Sequence, residues 1–172
     1  FAQPIIFPHM DKKMGDNING PSIIQMPKWA KKKLGAYHLY FSDHKGSYIR
    51  LAFSDSITGP WKTYDIGALE LSESLFITEQ PSDKTLYAHI ASPDVHIDYE
   101  KKCFWMYFHG QLDTGDQVTR VATSKDGINF DVKKAILGPP YFRVFEHENW
   151  IYALCWGGEI WRSKDWCSPF EK

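Results

Sequence analysis

The chain has 172 residues, 43% of them hydrophobic and 16% aromatic, with a formal net charge of −1. This composition is too apolar for disorder, and the length suits a single domain with a substantial core. The near-zero charge offers no global field to nucleic acid or an anionic membrane, and no run of about 18 apolar residues is present to span one.

Residues 1–18 read as irregular, with Pro4, Pro8, Gly15 and Asn17 punctuating the short apolar run Ile5-Ile6-Phe7. The turn Asn19-Gly20-Pro21 feeds a short strand, Ser22-Ile23-Ile24. Lys28 with Lys31, Lys32 and Lys33 then forms the only basic block, which reads first as a solvated loop and second as an anion patch. Helical signal is confined to a turn or two within residues 27–34. Tyr37 to Ser42 is aromatic and β-rich, and Tyr48 to Ser54 alternates, so the two form a hairpin around Asp43 to Ser47. A turn through Gly59-Pro60 leads to an outer strand, Trp61 to Tyr64.

The same order of signals returns twice. Pro93-Asp94-Val95-His96 opens a second unit, with strands Phe104 to Phe108 and Val118 to Thr123, then a turn into Phe130-Asp131-Val132. Pro140 to Arg143 opens a third, followed by Trp150 to Leu154 and Ile160 to Ser163. Pro21, Pro93 and Pro140 lie 72 and 47 residues apart, and Ser54, Ser124 and Ser163 lie 70 and 39 apart. Four-stranded units of about 40–50 residues are the signature of propeller blades. The expected fold is therefore an all-β β-propeller with about three four-stranded blades, roughly 19–65, 90–133 and 138–172, in one domain over 1–172. Residues 66–90 form an excursion between blades. A two-sheet sandwich also uses short strands and Gly/Pro turns, but the repeated Ser-centred turn favours the propeller. Propellers close with four blades or more, and no closing segment is visible, so the chain reads as a fragment. It begins at Phe1 rather than Met, so the missing signal peptide leaves the compartment open, secreted or periplasmic included.

Asp94 interrupts an alternating apolar segment where a strand begins, and Asp is disfavoured in strands. It reads as a pocket residue, or more plainly as a turn residue bonding a nearby amide. In a blade, the loop between the second and third strands lies at the same end as the start of the innermost strand. Asp43, His44 and Lys45 should thus approach the pocket, with His109, Asp113 and Asp116, then Trp156 and Glu159. His96 sits two residues beyond Asp94 on the same face and suits either a structural or a ligand-contacting role. Arg143 on the third inner strand calls for a carboxylate or sugar partner. Asn19 can bond a hydroxyl, although an Asn-Gly turn is the plainer reading, and Glu159 reads equally as a solvated hairpin residue. Cys103, Cys155 and Cys167 show no metal-like spacing, and Cys103 and Cys155 read as buried thiols. The spacing of His89, His96 and His109 matches no zinc pattern.

The run Ser-Pro-Asp-Val-His at 92–96, Phe-Trp-Met-Tyr-Phe at 104–108 and Ser-Lys-Asp-Gly-Ile-Asn-Phe at 124–130 resembles the five-bladed propellers of glycoside hydrolase family 43 and their arabinanase, invertase and neoagarobiosidase relatives. Ser-Asp-Ser-Ile-Thr-Gly-Pro-Trp at 54–61 is similar to the way such blades finish. The resemblance implies three of five blades and a plant or algal oligosaccharide or polysaccharide as partner. It also allows a structural calcium in the channel. It implies three carboxylates: a base, a residue that orients the proton donor, and a Glu acid, as inverting hydrolysis requires. Asp94 matches the orienting position. Gly20 stands where the base belongs and Gly138 where the acid belongs, and glycine cannot take a proton. Either other groups run the reaction, with Asp94, His109 and Glu159 as the catalytic candidates, or the site only binds. Asn19, His44, Lys45, His96, Arg143 and Trp156 are the expected saccharide contacts in both cases. A propeller that serves only as an interaction platform is the remaining reading.

Overall fold

The computed structural model describes residues 4–10, 14–83 and 85–172. It is all-β, in three antiparallel sheets taken in chain order. The first holds β1 (Ile18–Gln25), β2 (Tyr37–Asp43), β3 (Tyr48–Ser54) and β4 (Lys62–Glu70), each paired with the next. The second holds β5 (Ile90–Asp98), β6 (Cys103–Gln111), β7 (Gln117–Ser124) and β8 (Asp131–Val132) in the same order. The third has three strands, β9 (Arg143–His147), β10 (Trp150–Leu154) and β11 (Ile160–Ser163). A single bridge between Arg162 and Glu171 stands where a fourth strand would be. With Pro169 shortly before it, the tail makes two backbone bonds with Arg162, and Phe170 N–H donates to Leu137 O at 2.8 Å.

Strand β6 explains the stacking. Its run Phe104 to Phe108 is apolar at every position because both faces are covered. Side chains alternate along a strand, so Phe104, Met106 and Phe108 pack with Tyr40, Leu51 and Ile24 of the first sheet. Trp105 and Tyr107 pack the other way, with Val144, Ile151 and Ala153 of the third. Each fully buried side chain of this size contributes about 1.5–3 kcal/mol. A third cluster, Leu39, Phe41 and Trp61, lies on the far side of the first sheet, under Met14, Ile5, Ile6 and Met10.

Several expectations shift. Strand β1 runs through Asn19-Gly20-Pro21 with a bulge between Asn19 and Ser22, where a turn was expected. Strand β4 continues to Glu70, so the excursion shortens to 71–89. Residues 27–34 hold one turn, Ala30 N–H to Pro27 O, and no helix. The segment expected to be irregular at 1–18 lies partly outside the described residues.

Candidate functional site

Each inner strand is entered through one residue in the left-handed region: Gly20 (φ 59°), Ser92 (φ 52°) and Tyr141 (φ 67°). The position two residues on is Ser22, Asp94 and Arg143, and these pair with Tyr40, Tyr107 and Leu154 respectively. The third repeat therefore starts from Tyr141-Phe142, not Pro140. The backbone geometry repeats there, whereas the proline does not. The device between sheets repeats as well. Ser22 Oγ accepts from Val95 N–H at 2.9 Å, and Asp94 Oδ2 accepts from Val144 N–H at 2.7 Å. Opposite them, Tyr40 and Tyr107 donate to Gly127 O at 2.6 Å and Trp166 O at 2.9 Å.

Asp94 is thus first a connector of the second and third sheets. Its Oδ2 also lies 2.9 Å from His96 Nε2, and its Oδ1 is 3.8 Å from Arg143 Nη1, which donates to Pro93 O at 2.9 Å. The structure brings Asp94, His96 and Arg143 together. The amide that Asp94 bonds lies in the neighbouring sheet, not in its own turn.

A cavity of about 660 Å³ has His44, Tyr87, Asp116, Pro140, Tyr141 and Trp156 in its wall, and Asp94, His96 and Arg143 stand outside that wall. Trp156 is 72% exposed. Asn19 Nδ2 lies 3.4 Å from His44 Nδ1, Tyr87 Oη 3.1 Å from His44 Nε2, and Lys45 Nζ 4.8 Å from the centre of the Tyr87 ring. Asn19 Oδ1 accepts from Ser42 Oγ at 2.9 Å, and Ser42 Oγ accepts from Ser92 N–H at 3.0 Å. Beneath the wall, His109 packs on Tyr141 with ring centres 4.1 Å apart and on His89 at 5.5 Å. His109 is 1% exposed, and neither ring nitrogen has a hydrogen-bond partner among the described residues. Burial, helped by the nearby His89, Arg143 and His44, lowers its pKa from 6.5 to about 3. A neutral imidazole of that kind can share a hydrogen bond but is not protonated near neutrality. Left-handed Tyr141 lines the cavity, and such strained residues gather at sites that bind or react.

The other expected residues stand apart. Glu159 bonds Lys172 Nζ and, at 3.0 Å, Trp161 Nε1. These two bonds hold its carboxyl below the usual range, so it is ionised and outside the cavity wall. Asp113 lines a separate groove with Phe76 and Leu112, and Asp43 accepts from Asn17 N–H at 3.4 Å and Lys45 N–H at 3.1 Å. Both glycine positions are closed to side chains. A Cβ at Gly20 would stand 2.6 Å from Ser92 Cα, and one at Gly138 would stand 2.9 Å from the Phe142 ring. Tyr87 and Tyr141 were not singled out from sequence, and His89 was weighed only as a metal ligand. The alternation Tyr87-Ala88-His89 before Ile90 was the available signal.

Calcium takes six to eight oxygen ligands. Among the described residues no group of three or more His, Cys, Asp or Glu side chains is placed to hold a metal ion. Asp116 is the single carboxylate in the cavity wall, which is too few oxygen ligands for calcium.

No protein-family model matches the chain. It is 36% identical over 165 residues to an uncharacterised protein of Acanthamoeba polyphaga mimivirus, covering 90% of this chain and 46% of that protein. The chain therefore spans about half the length of the curated relative it matches. Among solved structures, a family 43 β-xylosidase/α-arabinofuranosidase from a compost microbial metagenome, crystallised with xylotriose, aligns with a TM-score of 0.61 at 16% identity, over 91% of this chain and 46% of that one. An exo-β-1,3-galactanase from Phanerochaete chrysosporium, crystallised with β-1,3-galactotriose, aligns with a TM-score of 0.58 at 14% identity, over 90% of this chain and 38% of that one. The chain thus has a fold like that of family 43 glycoside hydrolases.

Proposed function

We propose that this chain binds an oligosaccharide in the cavity walled by His44, Tyr87, Tyr141 and Trp156 and does not hydrolyse it with its own side chains. The observation that carries this reading is the state of the three positions where the resemblance implies carboxylates. Gly20 and Gly138 have no room for a side chain, and Asp94 is engaged by Val144 N–H, His96 and Arg143. Binding needs less: aromatic faces and a few placed polar groups. Trp156 and Tyr141 supply the faces, His44, Tyr87 and Asp116 the polar edge, while Asn19 contacts His44 and Lys45 contacts Tyr87; His96 and Arg143 hold Asp94 instead. In this reading the three sheets are consecutive blades, within 1–172, of a five-bladed propeller.

Calorimetric titration with xylotriose and with β-1,3-galactotriose tests it. Saturable binding of either without release of reducing ends is expected, and Trp156→Ala should weaken it about tenfold by removing a stacking face. Absence of binding to both sugars removes the saccharide reading, and cleavage of either removes the non-hydrolytic part. Hydrolysis is the second reading, favoured by the fold likeness, with Asp94, His109 and Glu159 as its candidate groups. It requires a second carboxylate about 6.5–9.5 Å from Asp94 for inversion. Unchanged cleavage by an Asp94→Asn variant would take Asp94 out of that mechanism.

A further inference from the structure

The hydrogen bonds around His44 have a direction that donor and acceptor chemistry determines. Ser92 N–H donates to Ser42 Oγ, and Ser42 Oγ–H donates to Asn19 Oδ1. With its oxygen engaged, the Asn19 amide presents its nitrogen to His44 Nδ1 at 3.4 Å. An amide nitrogen only donates, so Nδ1 accepts and carries no proton. A neutral imidazole then holds its proton on Nε2, which lies 3.1 Å from Tyr87 Oη. Tyr87 Oη therefore accepts from His44. A phenol has a single hydrogen, and with the His44 side taken as acceptor that hydrogen points elsewhere. Tyr87 lines the cavity.

We infer that Asn19 is a positioning residue: it sets the His44 tautomer so that Tyr87 turns its hydroxyl proton into the cavity, toward an acceptor oxygen of the ligand. The ligand half of this statement rests on the saccharide-binding reading; the tautomer does not. The relay starts on the second sheet at Ser92 and ends in the wall contributed by the first sheet and the excursion. Both Ser42 and Ser92 are buried, so its upstream end is shielded from competing water. A donor fixed in this way needs no rearrangement when a ligand arrives. It also selects against a ligand that presents only a hydrogen there, because that group would be left unpaired.

The test is nitrogen NMR of the ¹⁵N-histidine-labelled chain at neutral pH, which separates protonated from bare ring nitrogens. His44 should show a bare Nδ1 and a protonated Nε2. In Asn19→Asp the carboxylate can only accept, so Nδ1 should become protonated. Ser42→Ala, which frees the amide to turn, should lose the single-tautomer signature and serves if Asn19→Asp does not fold. A merely structural Asn19 would leave the Nδ1 signal unmoved. A protonated Nδ1 in the parent chain, or a bare one in Asn19→Asp, overturns the inference. Tyr87→Phe should weaken xylotriose binding on the order of tenfold, the loss of one hydrogen bond to ligand. If the tautomer is as stated but neither xylotriose nor β-1,3-galactotriose binds, the relay stands and the saccharide reading falls. If a sugar binds and the tautomer is reversed, the relay alone falls.

Discussion

Burial keeps three imidazoles uncharged in the folded chain. It lowers His109 to about 3 and His38 to about 4, and it lowers His89 as well. In the unfolded chain each of them takes a proton as pH falls through 6.5. The unfolded state then binds more protons than the folded one down to about pH 4, so stability is lost as pH falls through that window. His109→Phe removes one such proton together with two ring nitrogens that have no hydrogen-bond partner among the described residues. Its denaturation midpoint at pH 7 should equal or exceed the parent's. The slope of stability between pH 6 and 4 should flatten by about 1.4 kcal/mol per pH unit, the value of one proton. Retention of the full slope in urea titrations across that range would contradict a neutral buried His109. Asp94 offers a second test. Asp94→Asn keeps an acceptor for Val144 N–H and should cost about 1–2 kcal/mol, while Asp94→Ala leaves that amide and Arg143 without it and should cost about 3 kcal/mol. Equal losses in chemical denaturation would mean that the charge, not the acceptor, holds the seam.

Covering on one face or two separates the strands. Met106 on β6 is fully buried, whereas Leu154 on β10 is 45% exposed on the open face of the third sheet. Met106→Ala should therefore cost about 2–5 kcal/mol, and Leu154→Ala well under 1 kcal/mol, in the same denaturation experiment. Comparable losses would place another layer over β10. Strands were legible in the sequence wherever alternation or a continuous aromatic run reported burial, as in β2, β3 and β6. The last strand of the third unit was not, because the tail at 170–171 forms only one bridge. The third inner strand was anchored on Pro140 because proline is the visible mark at Pro21 and Pro93. The physical mark is the left-handed residue before them, and Tyr141 carries it without a following proline. The candidate site was legible in part. His44 and Trp156, both in the cavity wall, follow from loop positions, whereas Asp94 stands outside the wall at the seam between sheets. Tyr87 lies ahead of β5, where the short alternation Tyr87-Ala88-His89 is the one sequence signal, and its packing against His44 and His89 shows its place. Whether His109 has a hydrogen-bond partner depends on what packs around it, which a single sequence does not display.

The molecule is held together at two seams, and the first depends on a close approach of main chains. Gly20 lies where any Cβ would meet the Ser92 backbone, and its φ of 59° suits glycine. Gly20→Ala should cost about 1–3 kcal/mol from backbone conformation alone, with the contact adding to it. It should also disturb the neighbouring Asn19 relay, read as a change in the His44 nitrogen signals. A fully stable variant with unchanged signals would show that the seam tolerates separation. The outer surfaces of the stack are unlike each other. Ile5, Ile6 and Met10 pack over the first sheet, while Phe145, Leu154 and Ile160 of the third lie exposed.

Arg143 sets what that open side can accept. At the two seams the residue two beyond the left-handed entry offers oxygen to a neighbouring strand's N–H: Ser22 to Val95, and Asp94 to Val144. In the third sheet the same place belongs to a guanidinium, which has only hydrogens to give. One of its nitrogens is turned back to Pro93. The repeat therefore reverses polarity at its last described member. The side-chain acceptor that Ser22 and Asp94 offer is absent at that place, and a carbonyl or carboxylate brought to it would meet a donor instead.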